Sequence, residues 1–448
     1  MNCVKPILIF LTALTLMSGL ALAPLAWSEE GEPGGEATPS PAPEATPAPV
    51  EETSPPRTYF DYAVLNAQEI ERGNDLLLWG RLPMRLPSQT LAARLGFEHR
   101  RIDSIFDSTG ELHDNLGRFT VPDPFGSSRN FLTVEPTFHG IIDRLNLEAS
   151  FGVTDSLTWF GRVPMQREEL WLDFDFEAGT SSALGIRTTR DWFQTLENIG
   201  RPAPRHYYRS KALELGDVET GLSWNYSRSS AAYLSLAGRV SFPTGRLADP
   251  NEALIYGLGP QIDDGRGSYG VGLTHRVDFF LPLRTRWIGL VLETSYDYYF
   301  KGKRRVPHFL EPDPTFRAQL DRIGVDEAYF PDLSDANDYY YVTPGSQFDY
   351  LAGVSLRFHY FGVGAGFTTA WSQEPELEGD REMLELLDAT DAYRAQTRMA
   401  VVGEIGVPLS PIYVPGVVSL GFRYPVGGRN ALQDEDNATA QIELFFPL

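Results

Sequence analysis

Apolar and polar residues alternate along most of the chain from Leu91 onward, with a period of two rather than the 3.6 of a helix. In the segment 145–151 the odd-numbered positions are Leu, Leu, Ala and Phe, and the even-numbered ones are Asn, Glu and Ser. A polar turn at 152–156 follows, and the segment 157–163 then places Leu157, Trp159 and Val163 on one face. Two such segments predict a β-hairpin with one apolar face.

Twelve segments of this kind are predicted as strands: 91–103, one within 131–151, 157–163, 217–226, 231–242, 267–280, 286–300, 347–359, 361–371, 395–408, 413–424 and 436–446. Short links (152–156, 227–230, 281–285, 359–361, 409–412) alternate with long ones (104–130, 166–215, 245–266, 301–346, 372–394, 425–435). This sorting is typical of a transmembrane barrel, which has short periplasmic turns and long outer loops. The pattern therefore predicts an all-β fold, a transmembrane up-and-down antiparallel β-barrel of about 12 strands.

The face opposite the apolar one carries charges of both signs, and in a membrane barrel that face lines the lumen. The candidate lumen-facing residues are Arg94, Glu148, Arg162, Glu219, Arg239, Arg276, Glu293, Arg357, Arg398, Glu404 and Arg423. Pairing between these groups is the favoured explanation for the arginines, and contact with an anionic ligand is the alternative. Two histidines, His99 and His275, fall on the apolar face, which predicts a bulge or a rim position there.

The N-terminus has a different character. Residues 1–28 are predicted to be a signal peptide, because Lys5 precedes an apolar run over 6–25. Residues 29–57 are rich in Pro, Ala, Thr and Glu and are predicted to be a disordered tether, on which a periplasmic partner could dock. The barrel is predicted over 91–448, in the outer membrane of a bacterial cell and in contact with its lipid.

The segment 58–90 holds a short apolar run at 76–79 but no hairpin pattern. A plug in the lumen is one interpretation, and a thirteenth strand or a periplasmic cap is another. The glycines at 362, 364 and 366 would all face inward and leave a groove, filled either by inserted backbone or by a substrate. Near the outer rim, Tyr296, Tyr298, Tyr299 and Phe300 are typical of an aromatic girdle.

Charge and missing motifs exclude several functions. Sixty acidic against 38 basic residues give a net charge of −22, which argues against a nucleic-acid partner. The one cysteine, Cys3, lies in the signal peptide, so the mature chain offers no thiolate ligand. The sequence has no G-x-S-x-G and no H-E-x-x-H motif. We expect no enzyme activity, no cofactor and no metal, with a barrel-wall lipid hydrolase around His275 as a minor alternative.

Four stretches resemble a known group of proteins when taken in order: 151–165 (FGVTDSLTWFGRVPM), 215–226 (LGDVETGLSWNY), 235–245 (SLAGRVSFPTG) and 263–277 (DDGRGSYGVGLTHRV). The group is the outer-membrane phenol-degradation (meta-pathway) transporters and their relatives near the long-chain fatty-acid transporters. The resemblance covers about Leu145 to Val277. It implies a barrel for selective passive passage or binding of a small compound, hydrophobic or anionic. A structural or surface-interaction barrel without transport is the alternative.

Overall fold

A computed structural model describes residues 85–114, 119–123, 129–198, 207–210, 212–229, 231–247, 265–281, 288–306, 339–358, 361–381, 384 and 394–447. The predicted signal peptide (1–28), the predicted tether (29–57) and the part 58–84 of the predicted plug lie outside the described residues.

The structure has twelve long strands, as the alternation predicts. They are β1 Thr90–Phe106, β2 Asn130–Thr154, β3 Leu157–Ala178, β4 Val218–Arg228, β5 Ala232–Phe242, β6 Gly270–Phe280, β7 Ile288–Tyr299, β8 Gln347–Arg357, β9 Gly362–Ser372, β10 Gln396–Pro408, β11 Gly416–Arg429 and β12 Ala431–Pro447. Each pairs antiparallel with its neighbours in the chain, and β1 also pairs with β12, which closes the barrel. A closed barrel leaves no strand edge unpaired. This closure is needed in the hydrocarbon core of a membrane, where no water can hydrogen-bond to free backbone groups.

The polarity of the wall is that of a membrane barrel. Large apolar side chains point outward and stay exposed, for example Leu147 at 41% and Trp224 at 51%. Acidic residues point inward and are buried: taken as whole residues, Glu148 is 6% exposed and Glu443 is 1% exposed. A water-soluble barrel has the opposite arrangement, so the twelve strands form a transmembrane barrel with a polar interior.

This polarity is reversed in the parts of β1, β2 and β3 that lie toward the long loops. Inside, Ile102, Phe138, Ile142, Leu170 and Leu172 form a buried apolar cluster. Outside, polar pairs replace the apolar band: His99 lies 2.7 Å from Asp143, and His139 lies 3.0 Å from Asp103. Because β2 has 25 residues and β3 has 22, both are far longer than the 9–11 residues that cross a bilayer. The inversion therefore marks the membrane boundary, and His99 lies at that rim.

Two predicted long links are wrong in part. The segment 425–435 is not a loop, because β11 and β12 continue through it and turn at Asn430, whose φ is 47°. Asparagine tolerates this left-handed conformation better than most residues do. The segment 166–215 begins with 13 further residues of β3, up to Ala178.

The long-loop side carries further small elements. The α-helix α1 (Thr189–Asn198) packs Phe193 edge-on against Phe174 of β3, with ring centroids 5.4 Å apart. The 3₁₀ turn Thr180–Leu184 lies on this side, as do the short strands Leu112–His113, Phe119–Pro122, Tyr207–Arg209, Glu214–Leu215, Gly302–Arg305, Tyr339–Thr343 and Glu376–Glu378. A second 3₁₀ turn, Ser410–Ile412, lies in a short link at the opposite end of the barrel. In the part of the chain that the structure describes, no helix has the length and apolar composition that a membrane crossing requires.

Candidate functional site

The strand register places all eleven predicted residues on the inward side of the wall. Eight of them line a central cavity: Arg94, Glu148, Arg162, Arg276, Glu293, Arg398, Glu404 and Arg423. Glu219, Arg239 and Arg357 lie elsewhere on the inner face. Contact of any of them with a ligand stays a prediction.

The first ion-pair network runs along β12, β1, β2, β3 and β4. Arg94 Nη2 lies 3.1 Å from Glu443 Oε2, and Arg94 Nη1 lies 3.3 Å from Glu148 Oε1. The other oxygen of Glu148 accepts a hydrogen bond from Arg162 Nη2 at 3.0 Å, and Arg162 Nη1 reaches Glu219 at 3.4 Å. Because adjacent strands present these groups directly opposite one another, the network follows from the register.

A second network joins β6 and β7. Arg276 Nε donates to Asp278 Oδ1 at 2.9 Å, and Arg276 Nη1 lies 3.5 Å from Glu293. A third pair, Arg239 and Asp297, is buried between β5 and β7. The third pair depends on Gly272 of the strand between them, since a Cβ there would lie 2.1 Å from Asp297 Oδ1.

Residues 85–89, which we call the strap, cross the lumen at the end where the short turns lie. The strap leaves β1 at Gln89, whose φ is 59° and whose N–H donates to the Gly152 carbonyl at 2.8 Å. The N–H of Ser88 donates to Asp155 Oδ1 at 3.0 Å, in the turn between β2 and β3. The strap is therefore fixed to the barrel by its backbone.

Arg85 forms the far end of the strap, on the opposite side of the lumen from β1. Its guanidinium donates to Asp278 of β6 and, at 3.1 Å, to Ser235 Oγ of β5. The guanidinium carbon also lies 4.6 Å from the centre of the Tyr233 ring. Leu86, the next residue, is 2% exposed. The alternation of apolar and polar residues gives no signal for this crossing, so nothing in the sequence pattern points to Arg85.

We expect Gly152→Ala to release the strap. A Cβ on Gly152 would lie 1.9 Å from the Pro87 carbonyl oxygen, so the strap has to move. Overpacking of this kind costs about 1–3 kcal/mol, which raises the population of an open strap roughly 5- to 150-fold. Limited trypsin digestion with mass spectrometry should show cleavage after Arg85 accelerated by about that factor.

The control is Gly238→Ala, because a Cβ at Gly238 would meet nothing within 4 Å. The control should leave cleavage after Arg85 unchanged. Equal cleavage rates in the wild type and in Gly152→Ala would contradict the tight passage of the strap over β2.

The cavity inside the barrel has a volume of about 710 Å³. Nine arginines line it, at positions 85, 94, 100, 144, 162, 266, 276, 398 and 423. Six carboxylates line it, from Glu98, Glu148, Asp278, Glu293, Asp349 and Glu404. The described lining thus has three more cationic than anionic side chains, although the chain as a whole carries −22.

The cavity has two unlike walls. The networks around Arg94 and Arg162 occupy β1, β2 and β3. On the other side of the barrel, β8 to β11 present mostly small and apolar side chains, with four charged ones among them: Asp349, Arg398, Glu404 and Arg423. Leu351 of β8 packs with Val291 of β7 and Val402 of β10. Ala400 and Ser419 extend the same wall. The cavity can therefore contact both a charged group and an apolar body.

His275 lies on the outward face of β6, as the alternation predicts. Its Nε2 lies 2.7 Å from the hydroxyl of Tyr226, and the two rings stack with their centroids 6.0 Å apart. Ser268 and Asp278, the serine and the aspartate nearest to His275 in the sequence, make no hydrogen bond to this ring among the described residues. This arrangement gives His275 a polar partner in an apolar setting rather than a nucleophile.

One further cluster, Asp107 with Glu111 and His113, lies beyond the outer end of β1. Asp107 Oδ1 accepts hydrogen bonds from the Thr109 hydroxyl at 2.8 Å and from three backbone N–H groups, and these donors hold the pKa of Asp107 well below its usual range. His113 Nε2 lies 3.1 Å from the other oxygen. The contacts are those of a turn fixed by its aspartate.

The predicted aromatic girdle needs one correction. Tyr298 and Phe300 pack edge to face, 5.3 Å apart, and both share the outward side of the wall. Tyr299 instead points inward, is 6% exposed, and lies under the guanidinium of Arg266 at 4.1 Å. The reason is the strand period of two, which sends neighbouring tyrosines to opposite faces.

No family model matches the sequence, and no curated protein does. Solved structures of similar fold include an outer membrane channel from Pseudomonas putida F1, with a TM-score of 0.48 and 11% identity over 83% of this chain and 100% of that chain. The toluene transporter TbuX of Ralstonia pickettii gives 0.31 and 10% over 86% of this chain and 94% of its own. The beta domain of the Bordetella autotransporter BrkA gives 0.34 and 8% over 80% and 100%. Likenesses this distant carry no argument about function.

The resemblance to the phenol-degradation (meta-pathway) transporters therefore has no match at the level of sequence families. The fold that it implies, a closed antiparallel barrel, is confirmed by the strand pairing. The compounds that it implies stay a prediction.

Proposed function

We propose that the protein is a channel of the bacterial outer membrane for selective passive passage of a small compound. The observation that supports this most is the cavity of about 710 Å³ inside a closed barrel whose apolar side chains face outward and whose polar side chains face inward. Cavities of roughly 300–1,000 Å³ are the size that encloses small organic molecules. A purely structural barrel has no need of such a space.

Selectivity follows from how the lumen is filled. Open aqueous porins have about 16–18 strands, and a barrel near twelve strands has far less room for water. The networks around Glu148 and Asp278 project into this space, and the strap crosses it at the short-turn end. Passage of large hydrophilic solutes is therefore disfavoured, and the proposed channel admits small compounds.

Vesicle swelling tests this proposal. Vesicles that contain the folded protein are expected to swell in arabinose at a rate above that of protein-free vesicles, and to swell in raffinose no faster than protein-free vesicles do. The same test on Gly152→Ala, with Gly238→Ala as the control, should show faster arabinose entry in the first variant alone. Baseline swelling in arabinose for the wild type and for Gly152→Ala would reject passage and favour a structural or surface-interaction barrel.

A further inference from the structure

We infer that the cavity takes a small organic anion with an apolar body, bound with its charge at Arg423 and its body against the wall of β8 and β10. This inference rests on the proposed function and names the chemical class of compound that the same cavity admits. Three observations support it: the sign of the lining, the state of Arg423, and what lies beside Arg423.

The sign of the lining is opposite to that of the chain. Acids outnumber bases 60 to 38 over the whole sequence, whereas the described cavity lining has nine arginines and six carboxylates. The arginines remain in excess, nine to eight, when Glu443 and Glu219, which pair with Arg94 and Arg162, are added. Composition alone would have produced an acidic lumen. A cavity with an excess of one sign, enclosed by a low-dielectric wall, concentrates ions of the other sign. Pores that select anions also have Arg and Lys side chains arranged in a ring around the channel.

Some of the lining arginines form ion pairs with carboxylates of the barrel wall, and others do not. Arg94, Arg162 and Arg276 each contact carboxylates at 3.5 Å or less. In contrast, Arg266 Nη2 donates to the amide oxygen of Gln347 at 2.7 Å, and its charge lies over the Tyr299 ring. The lining therefore contains guanidinium groups that its own carboxylates do not neutralise.

Arg423 is the clearest of these groups. It lies on the inward side of β11, lines the cavity and is exposed there. Among the described residues it has no hydrogen bond and no ion pair. A guanidinium that is open to the lumen is free to form a forked contact with a carboxylate or sulfonate.

On the side of β10, Arg423 has an apolar neighbour. Val402 is its direct partner across the β10–β11 pair, and Val402 packs with Leu351 and Val291. A charged group bound at Arg423 would thus have its apolar part beside this cluster. A small inorganic anion would use only half of the site, whereas an aromatic or short aliphatic anion would use both halves.

The test uses the full mature chain folded in planar bilayers and two probes that share a ring and carry permanent charges. Benzenesulfonate is the anion and benzyltrimethylammonium is the cation. Reversal potentials under a concentration gradient give their permeability ratio. We expect the wild type to favour benzenesulfonate by roughly tenfold or more, as one charge-assisted hydrogen bond is enough to provide.

The variant Arg423→Gln should lower this ratio several-fold and should weaken benzenesulfonate binding in calorimetry. Arg209→Gln is the matched control, because Arg209 lies on the outer side of the long-loop region, is half exposed and is absent from the cavity lining. Its ratio should equal that of the wild type. Heat-modifiable migration on a gel verifies that both variants are folded.

The outcomes separate the two proposals. Conductance without a preference for the anion, or a preference that Arg423→Gln leaves intact, overturns the inference and leaves the channel standing. Absence of conductance for both probes in the wild type and in Gly152→Ala overturns the proposed function and the inference with it. A chloride preference equal to the benzenesulfonate preference overturns the apolar half of the site alone.

Discussion

Replacing Leu147 by arginine is expected to lower the free energy of unfolding of the barrel in lipid by about 2–4 kcal/mol. Leu147 lies on the outward face between Leu95 of β1 and Val163 of β3, within the apolar band. A guanidinium at this position would have to be buried in hydrocarbon, where no counter-charge or water is available. Denaturant unfolding in phosphatidylcholine vesicles, followed by tryptophan fluorescence, measures the change.

The matched control is Asn146→Arg, one residue earlier on the same strand. Asn146 faces inward and lines the cavity, so the added charge meets water and carboxylates rather than lipid. We expect a change of less than about 1 kcal/mol for this control, as for a lumenal site in other membrane barrels. If both variants unfolded with the same change, the outward face would not be the lipid face, and the polarity of the wall would be wrong.

The face on which each strand residue lies could be predicted, because side chains alternate between the two faces of a strand however they pack. Arg94, Glu148 and Arg162 have even numbers on consecutive strands, and the hairpin turn between β2 and β3 fixes their register. Side chains on the same face of neighbouring strands meet across the ladder. The alternation therefore predicted both the strands and the side to which each of these charges points.

The ends of the strands could not be predicted in the same way. In β3 the apolar positions are odd-numbered up to Met165 and even-numbered from Leu170 onward. When the apolar positions shift from odd to even numbers, the alternation is interrupted, and such an interruption normally indicates the end of a strand. The predicted loop therefore begins at this point. The physical cause is the membrane boundary: below it the outside of the wall is apolar, and above it the inside is.

The strap could not be predicted because its contacts are made by backbone and by residues distant in sequence. Arg85 reaches Asp278 across 193 positions. Gly152 gives the same signal as any glycine near a turn, and only the approach of the Pro87 carbonyl shows why it is needed. Long-range contacts of this kind leave no periodic pattern.

Removing the carboxylate of Glu148 is expected to have the largest effect on stability. The side chain is 3% exposed and lies between two guanidinium groups, at 3.3 Å from Arg94 and 3.0 Å from Arg162. Glu148→Ala removes the carboxylate that Arg94 and Arg162 share, while Glu443 stays beside Arg94 and Glu219 beside Arg162. Breaking a buried pair by removing one partner costs about 3–5 kcal/mol, and unfolding in vesicles should show a loss of that size.

The control for this variant is Glu169→Ala in a more exposed pair, where Arg209 lies 3.8 Å from Glu169. An exposed pair contributes about 0–1 kcal/mol, so the control should stay close to the wild type. Loss of Glu148 also raises the excess of arginines over carboxylates in the cavity from three to four. In bilayers the preference for benzenesulfonate should therefore increase in Glu148→Ala. A decrease would mean that the ion-pair network around Glu148, rather than the net charge of the lumen, controls which ion passes.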